Sequence, residues 1–238
     1  MNKNTLIFLV AAIILVGAGF FFFKNAFPPV KENTAVSIPA SGNEKTSMAT
    51  PDQNKTDDNT SPTLGDTNAP VTIVEYGHFK CPACNKFFRE TKPEISEKYI
   101  KTGKVKFIWK DFPYEGGDAS RASEAAYCAK DQGKFWEFHD TLFTYIWDNY
   151  YKKGINAEES LVFTDEKLNE FAKQLGLNTT KFNSCITTNT YTKLVNDNFE
   201  EGKSKGAQAT PTFFINGQKI VGAQPLSVFA QIIDSKLK

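Results

Sequence analysis

The sequence predicts an α/β domain with a large helical insertion, which follows an apolar N-terminal segment and a polar linker. Two observations support this prediction. Stretches rich in β-branched and aromatic residues occur near both ends of the domain, whereas apolar residues between them recur at helical spacing. The composition also changes abruptly, first at about Lys24 and again at about Leu64, where a globular pattern begins.

The apolar segment covers residues 6–23, after a short tail of residues 1–5. As a helix it is about 27 Å long, which is close to the thickness of a bilayer core. A cleaved signal peptide is the alternative, but its apolar region is usually shorter and ends at a small-residue cleavage site. No such site is well placed here, so we predict an uncleaved single-pass anchor. The flanking lysines, Lys3 and Lys24, favour an N-inside orientation only weakly.

Residues 24–63 are rich in Ser, Thr, Asn, Asp, Lys and Pro and contain few large apolar side chains. Such a stretch cannot bury enough surface to offset the entropy lost on ordering. We therefore predict a flexible linker with a typical span of roughly 35 Å, followed by a single domain at residues 64–238. A partly ordered arm lying on the domain is the alternative.

The first half of the sheet is predicted from two strands, residues 71–79 and 105–113, which are rich in Val, Ile and aromatic residues. A helix at about residues 85–103 joins them and stops near Gly103. Pro93 should kink this helix, because a proline inside a helix removes one hydrogen bond and crowds the preceding turn.

The helical insertion covers about residues 118–205. Helical spacing extends from about residue 119 to 146, and Thr164 is a plausible cap for a further helix. Two shorter helices are predicted after it, at residues 179–187 and 189–205. The chain then returns to strands at residues 212–216 and 218–222, joined by Asn216-Gly217, a strong hairpin signal. A helix at residues 225–237 closes the domain.

The charges of the chain are almost balanced, with 28 basic and 27 acidic side chains. Nucleic-acid binding requires a basic surface to meet the phosphates. The composition therefore excludes nucleic acid as an expected partner.

Cys81 and Cys84 stand between the predicted first strand and the helix that follows it. At the start of a helix, unpaired backbone N–H groups and the helix dipole favour a negative charge, here a Cys81 thiolate. The spacing brings Cys84 back beside Cys81, and Pro82 suits a first helical turn. This pattern predicts disulfide exchange chemistry.

Zinc is the main alternative for a CxxC motif, but a structural zinc site usually has four ligands. Cys128 and Cys185 stand alone in the sequence, and His78 and His139 are far apart. A purely structural Cys81–Cys84 disulfide would close too small a ring to constrain the unfolded chain much. We therefore predict no metal site and no bound cofactor.

The chain resembles the DsbA-like branch of the thioredoxin superfamily across residues 64–238. The resemblance rests on the helical insertion and on three stretches: VTIVEYGHFKCPACNKF, AAYCAKDQGKFWEFHDTLF and GAQATPTFFINGQKIVGAQP. It implies a thioredoxin-like fold with a large helical insertion. It also implies that Cys81 is the nucleophile and Cys84 the buried resolving cysteine.

The resemblance assigns Thr210-Pro211 to a cis-proline loop that faces the two cysteines and binds substrate backbone, together with Pro82 and Ala83. The alternative for Pro211 is an ordinary proline at the entry to a strand. Glu75 matches an acidic position beneath the active site, where a carboxyl exchanges protons with the resolving cysteine. The alternative is a partly exposed strand glutamate without a catalytic role.

Strongly oxidising relatives have Pro-His between the cysteines, whereas this sequence has Pro-Ala at Pro82 and Ala83. The oxidising strength therefore stays open. Lys80 and His78 are candidates for tuning Cys81, with a solvated Lys80 and a His78 that points away as the alternatives.

Paired positions in some DsbA-like relatives imply that Cys128 and Cys185 form a structural disulfide. An oxidising compartment would favour that pairing. The alternative is two buried free cysteines that pack as small apolar side chains.

The sequence as a whole predicts an extracytoplasmic dithiol oxidase, held by one helix in a bacterial cell membrane. Its expected partners are reduced exported proteins and a membrane or small-molecule redox partner that reoxidises it. A reductase or isomerase that uses the same residues, and a non-catalytic thioredoxin-like binding module, are the two alternatives.

Overall fold

The computed structural model describes residues 61–114 and 117–238. The predicted anchor at residues 6–23 and most of the predicted linker lie outside these residues. Within the part of the chain that is described, no helix combines the length and the apolar character needed to cross a membrane.

A five-stranded sheet forms the centre of the domain, with the strand order β1-β3-β2-β4-β5. β2 and β3 are parallel, and the other neighbouring pairs are antiparallel. The strands are β1 (Thr63–Leu64), β2 (Val71–Gly77), β3 (Val105–Asp111), β4 (Thr212–Ile215) and β5 (Gln218–Val221).

The helices confirm a large insertion between β3 and β4, which contains α3 to α7. A π-helical turn, Ser96–Ile100, follows α2, and a short 3₁₀ helix, Tyr151–Lys153, follows α4. The helices are α1 (Pro82–Glu90), α2 (Lys92–Ile95), α3 (Gly117–Lys130), α4 (Phe135–Asn149), α5 (Asp165–Gln174), α6 (Thr179–Thr187), α7 (Thr192–Ser204) and α8 (Leu226–Lys236).

β2 is the central strand and leads directly into the CxxC motif. β3 and β4 flank it, so that Glu75 lies opposite Trp109 on one side and Phe213 on the other. A strand covered on both faces needs a nearly continuous apolar sequence, which is the pattern of β2. Glu75 is the exception, and its environment is therefore set by the apolar core.

Pro93 breaks the helix after the CxxC motif, as the sequence predicts. α1 ends at Glu90, and Thr91 joins it to α2, with the Thr91 N–H still bonded to the Phe87 carbonyl at 3.0 Å. The break precedes the proline because its ring crowds the carbonyl four residues earlier and it cannot donate a hydrogen bond.

β1 is a strand that the sequence pattern does not reveal, and its first residue, Thr63, belongs to the segment predicted as linker. Thr63 pairs with Ile108, and the Trp109 N–H donates to the Pro62 carbonyl at 3.0 Å. The pairing satisfies backbone groups along the outer edge of β3. A two-residue strand has no periodicity of its own, so only the sheet reveals it.

Two further boundaries differ from the prediction. The helical stretch predicted at residues 119–146 is divided into α3 and α4 by a turn in which Gly133 has a φ of 73°. Pro225 caps α8 instead of standing inside its first turn. The hairpin turn is as predicted, since Asn216 and Gly217 both have positive φ values, of 43° and 84°.

α7 packs closely against the sheet because Gly202 has no side chain. A Cβ atom there would lie 2.7 Å from ring atoms of both Tyr76 and Phe112. A hydrogen bond also stabilises the packing of α7 on the sheet, since the Tyr76 hydroxyl donates to the Glu201 carboxylate at 2.9 Å. α7 therefore brings the last part of the insertion against the end of the sheet that carries the CxxC motif.

Cys128 on α3 and Cys185 on α6 form a disulfide, with their Cα atoms 5.8 Å apart. The two cysteines are 57 residues apart in the sequence. The bond joins two helices of the insertion and constrains the unfolded chain. The alternative of two free cysteines is wrong.

Candidate active site

Cys81 is the N-cap residue of α1, with an extended backbone at φ −74° and ψ 123°. Its sulfur accepts a hydrogen bond from the backbone N–H of Cys84 at 3.2 Å. This is the bond that serine or aspartate oxygens make at other helix starts, and it places the sulfur at the positive end of the helix dipole. Pro82 occupies the first turn, where a missing N–H costs nothing.

The pKa of Cys81 is lowered from its ordinary value. The largest contribution is a hydrogen bond from the Cys84 side chain, and the Thr210 side chain and the backbone N–H groups of Cys84 and Ala83 act in the same direction. Burial opposes them, since the Cys81 side chain is only 3% exposed. The hydrogen bonds outweigh burial, so the site stabilises a thiolate on Cys81.

The pKa of Cys84 is raised well above its ordinary value. Complete burial is the largest cause, followed by its hydrogen bond to Cys81 and the negative charges of Cys81 and Glu75. The two sulfurs therefore differ in reactivity, and Cys81 is the one that attacks or is attacked. This asymmetry agrees with the roles that the resemblance implies.

Thr210-Pro211 faces the cysteines across the end of the sheet. The peptide bond between the two residues is cis. The Cys81 thiol donates to the Thr210 carbonyl at 3.4 Å. The loop thus lies beside the reactive sulfur, at the position that the resemblance predicts for substrate backbone.

An open groove with a volume of about 710 Å³ begins at Cys81. Pro82, Ala83 and Thr210 line it, as expected for residues that contact substrate. Its remaining walls are formed by residues that the sequence analysis missed, among them Phe112, Tyr114, Phe199 and Lys203. They come from the end of β3 and from α7, and no local signal connects these two segments.

Glu75 is buried in the middle of the sheet, where only 2% of the residue is exposed. Burial raises its pKa to about 8, a shift that the positive charge of Lys92 reduces and the negative charge of Cys81 increases. The carboxyl is therefore mostly protonated at neutral pH. The alternative of a partly exposed glutamate is wrong.

Lys92 is a second buried charge that the sequence analysis missed. Burial lowers its pKa, whereas the charges of Asp140 and Glu75 raise it. Its Nζ lies 3.7 Å from an Asp140 oxygen, and Asp140 is half exposed. Lys92 therefore interacts electrostatically with both the buried Glu75 and the surface carboxylate of Asp140.

Lys80 is not a solvated side chain. Its Nζ donates to Asp118 at 2.7 Å and to the Ser160 carbonyl at 2.9 Å. These bonds attach two parts of the insertion to the residue that precedes Cys81. The lysine thereby fixes the position of the insertion next to the active site.

His78 is fully buried, and one of its ring nitrogens lies within 4.8 Å of the Cys81 sulfur, so the alternative of a side chain that points away is wrong. Its Nε2 lies 4.0 Å from a Glu158 carboxylate oxygen, and its ring packs edge-on against Tyr114 at 5.1 Å between centroids. Burial and the positive charge of Lys80 lower its pKa to about 4, so the imidazole is neutral at pH 7.

Gly77 makes room for the Cys84 sulfur at the end of β2. A Cβ atom at this position would lie 3.1 Å from the Cys84 Sγ and 3.0 Å from the Trp109 ring. Both distances are shorter than ordinary contacts. Gly77 therefore lets the sulfur and the indole pack directly against the strand.

The geometry defines a class of protein. A stabilised Cys81 thiolate stands at a helix start, a buried Cys84 lies beside it, and a cis-proline loop and a groove adjoin them. Such a dithiol exchanges disulfides with other chains.

The chain belongs to the thioredoxin family, since the family model described as Thioredoxin matches residues 57–235. It is 31% identical over 183 residues to disulfide bond formation protein D of Bacillus subtilis, an alignment that covers 74% of this chain and 77% of that protein. Together with the structural comparisons that follow, these matches identify a DsbA-like thiol–disulfide oxidoreductase.

Two solved structures share the fold. Oxidised BdbD from Bacillus subtilis has 26% sequence identity and a TM-score of 0.66, with 75% of this chain and 94% of that chain covered. The α-DsbA1 structure from Wolbachia pipientis has 27% identity and a TM-score of 0.61, with 74% and 89% covered. The predicted thioredoxin-like fold with its helical insertion is therefore confirmed.

We expect the alkylation of Cys81 in the reduced protein to reach half its maximal rate at a pH below about 8.5, the ordinary value for a thiol. The reason is that the helix start and its hydrogen bonds stabilise the thiolate. Iodoacetamide labelling followed by peptide mass spectrometry measures this rate as a function of pH. Cys84 serves as the internal control and should stay unlabelled where Cys81 reacts. A Cys81 midpoint at or above the ordinary value would contradict the assignment.

Replacing Glu75 with Gln should change the pH dependence of stability. Between pH 4.5 and about 8 the folded Glu75 keeps a proton that the unfolded chain loses. The contribution of Glu75 to the free energy of unfolding therefore falls as the pH rises through this window, by up to about 1.4 kcal/mol per pH unit, and levels off above it. The lowered pKa values of His78 and His139 act in the opposite direction in the acidic part of the window, so the effect of Glu75 is read as a difference between proteins.

Urea unfolding of the reduced proteins should show the free energy of unfolding of the wild type falling relative to that of Glu75→Gln over the same range, because glutamine cannot ionise. Glu94→Gln, a change at an exposed glutamate of α2, is the matched control and should follow the wild type. Parallel curves for the wild type and Glu75→Gln would show that Glu75 does not hold the proton.

Proposed function

We propose that the protein is an extracytoplasmic dithiol oxidase that introduces disulfides into exported proteins. The observation that carries the proposal is the Cys81 sulfur at the start of α1, which accepts the Cys84 N–H at 3.2 Å and has a lowered pKa. Stabilising the Cys81 thiolate stabilises the reduced enzyme. A dithiol with a stabilised reduced form is a strong oxidant when it is in the disulfide form.

The reaction begins with the Cys81–Cys84 disulfide. A substrate thiolate attacks the Cys81 sulfur, forms a mixed disulfide and displaces Cys84 as a thiolate. Because the pKa of Cys84 is raised, this thiolate takes a proton, and Glu75, mostly protonated at neutral pH, is a nearby buried donor.

A second substrate thiolate then attacks the substrate sulfur of the mixed disulfide and releases Cys81 as a thiolate. The substrate has lost two electrons and gained a disulfide, and the enzyme has gained those two electrons as a dithiol. A second disulfide, on a membrane partner or a small molecule, accepts them and restores Cys81–Cys84.

The groove supports a protein substrate. Its position beside Cys81 and the Thr210 carbonyl suits an extended segment that carries a cysteine. Phe112 and Phe199 offer apolar surface to neighbouring side chains, while the cis-proline loop is available to the backbone. Relatives named disulfide bond formation protein D support the direction of the reaction.

The proposed location is the outer face of a bacterial cell membrane. Residues 6–23 serve as a single-pass anchor, and the linker lets the domain reach substrates away from the bilayer. The Cys128–Cys185 disulfide supports this location, because disulfides persist mainly in oxidising compartments.

A reductase or isomerase is the second candidate, and the Pro82-Ala83 dipeptide favours it. Histidine at the position of Ala83 would supply a further donor to the thiolate, and its absence makes the disulfide less oxidising. The same residues serve both reactions, so the redox potential distinguishes them.

The oxidised protein should accelerate disulfide formation in a reduced, unfolded test protein. Its reduction potential against glutathione should lie above about −180 mV, the value typical of protein disulfide isomerase. Cys81→Ser should abolish the reaction. Reduced Cys84→Ser, mixed with the disulfide form of the test protein, should attack that disulfide through Cys81 and accumulate a mixed disulfide that mass spectrometry detects, because Cys84 is no longer present to resolve it. A potential near about −270 mV, as in thioredoxin, would indicate a reductase instead.

The location is tested with the full-length chain in bacterial cells. Trypsin added to intact protoplasts should cut the linker and release the folded domain, because the proposed location puts the lysines of the linker outside the membrane. A cytoplasmic marker protein should stay intact in the same sample. Release that requires lysis of the protoplasts would place the domain inside.

A further inference from the structure

His78, Cys81 and Glu158 lie together beside the active site. One potential ligand atom from each residue, a ring nitrogen, the sulfur and a carboxylate oxygen, lies within 4.8 Å of the other two. The three residues come from different segments: the end of β2, the start of α1 and the connection between α4 and α5. The sequence predicted no metal site, because the remaining cysteines stand alone and the two histidines are far apart in the chain.

His78 lacks a hydrogen-bond partner although it is fully buried. Among residues 61–114 and 117–238, no group bonds to either ring nitrogen. Leaving a buried polar atom unpaired costs free energy, so such an atom usually has a function or a missing ligand. Its Nε2 faces Glu158, and Tyr114 packs against the ring edge-on.

We propose that the reduced protein binds one Zn²⁺ ion through the Cys81 sulfur, the His78 imidazole and the Glu158 carboxylate. These are the three kinds of donor atom that zinc accepts. Three protein ligands leave a fourth tetrahedral position open for water or for another ligand. Magnesium and calcium prefer oxygen atoms alone, and Cu(I) prefers sulfur without a carboxylate.

The geometry requires a small contraction on binding. Zn–S and Zn–N bonds of about 2.3 and 2.0 Å place tetrahedral ligand atoms roughly 3.5 Å from one another. His78 and Glu158 are already 4.0 Å apart. Glu158 stands in a connecting segment, and its side chain is 21% exposed.

The electrostatic surroundings permit a cation. Neither ring nitrogen of His78 is hydrogen-bonded to a described residue, so the ring can direct a lone pair at a metal. The positive charge of Lys80, two residues from His78, is paired with Asp118, whose carboxylate oxygen lies 2.7 Å from the Lys80 Nζ. Cys81 binds as a thiolate, and any proton that it carries is released to solvent.

Zinc binding and disulfide exchange compete for the same sulfur. In the Cys81–Cys84 disulfide the Cys81 sulfur is not a thiolate and cannot bind zinc, so the oxidised protein lacks one ligand. In the reduced protein a bound ion prevents Cys81 from attacking a disulfide. Bound zinc therefore slows reoxidation of the enzyme, whichever direction of exchange predominates.

The experiment uses the full-length protein, reduced, desalted and kept without oxygen at pH 7.5. Zinc chloride is titrated in competition with a chromogenic zinc chelator. The reduced wild type should bind one equivalent, and the oxidised protein should not compete. Glu158→Gln and His78→Phe should each weaken binding by about tenfold or more, since even the loss of an outer-shell partner costs about 10- to 100-fold.

Two further variants separate the proposed site from other ways of binding zinc. Glu159→Gln alters the neighbouring carboxylate and should bind like the wild type. Cys84→Ala should keep the site, because Cys84 is not one of its ligands. Loss of binding in Cys84→Ala together with unchanged binding in Glu158→Gln would assign the ion to the two cysteines and overturn the proposal.

Alkylation provides a second measurement that does not depend on the affinity assay. Zinc should slow iodoacetamide labelling of Cys81 in the wild type and in Glu159→Gln, but much less in Glu158→Gln. Glu158 lies outside the regular elements, so its variant remains informative even where His78→Phe does not fold. Equal protection in all three proteins, or no binding to the reduced wild type, would also overturn the proposal.

Discussion

The hydrogen bond from the Cys84 N–H to the Cys81 sulfur is the interaction on which the site depends. It occurs because the chain leaves β2 and enters α1 at Cys81, so that a sulfur takes the place of a capping oxygen. The helix start favours charge on Cys81, whereas burial disfavours charge on Cys84. Two identical side chains thereby acquire different roles from their positions in the fold.

The core beneath the cysteines holds titratable groups that a purely structural core would avoid. Glu75 and His78 are buried on or next to β2, and Lys92 is buried in α2. Burial disfavours the charged form of each group, so the sheet loses some stability to keep them there. Proton transfer at Cys84 gives a reason for Glu75, and the zinc site proposed above gives one for His78. Such local conflicts with the rules of packing are expected at functional sites.

The helical insertion does more than enlarge the domain. α7 packs against the sheet through Gly202 and places Phe199 in the wall of the groove. Lys80, the residue that precedes Cys81, holds the segment around Ser160 next to the active site through a hydrogen bond to the Ser160 carbonyl. A short strand–helix motif supplies the reactive sulfur, and the insertion supplies the surface around it. Substrate choice is therefore expected to depend on the insertion more than on the motif.

The sequence by itself determined the features that depend on near neighbours: the strand before Cys81, the helix after it, the break near Pro93 and the turn at Asn216-Gly217. The resemblance added the position of the Thr210-Pro211 loop, because those residues form a recognisable pattern. Only the tertiary structure decided the direction of His78, the fixed position of Lys80, the short strand β1 and the walls of the groove. These features join segments that are distant along the chain, and packing decides them, because neither hydrophobic periodicity nor turn chemistry acts beyond a few residues.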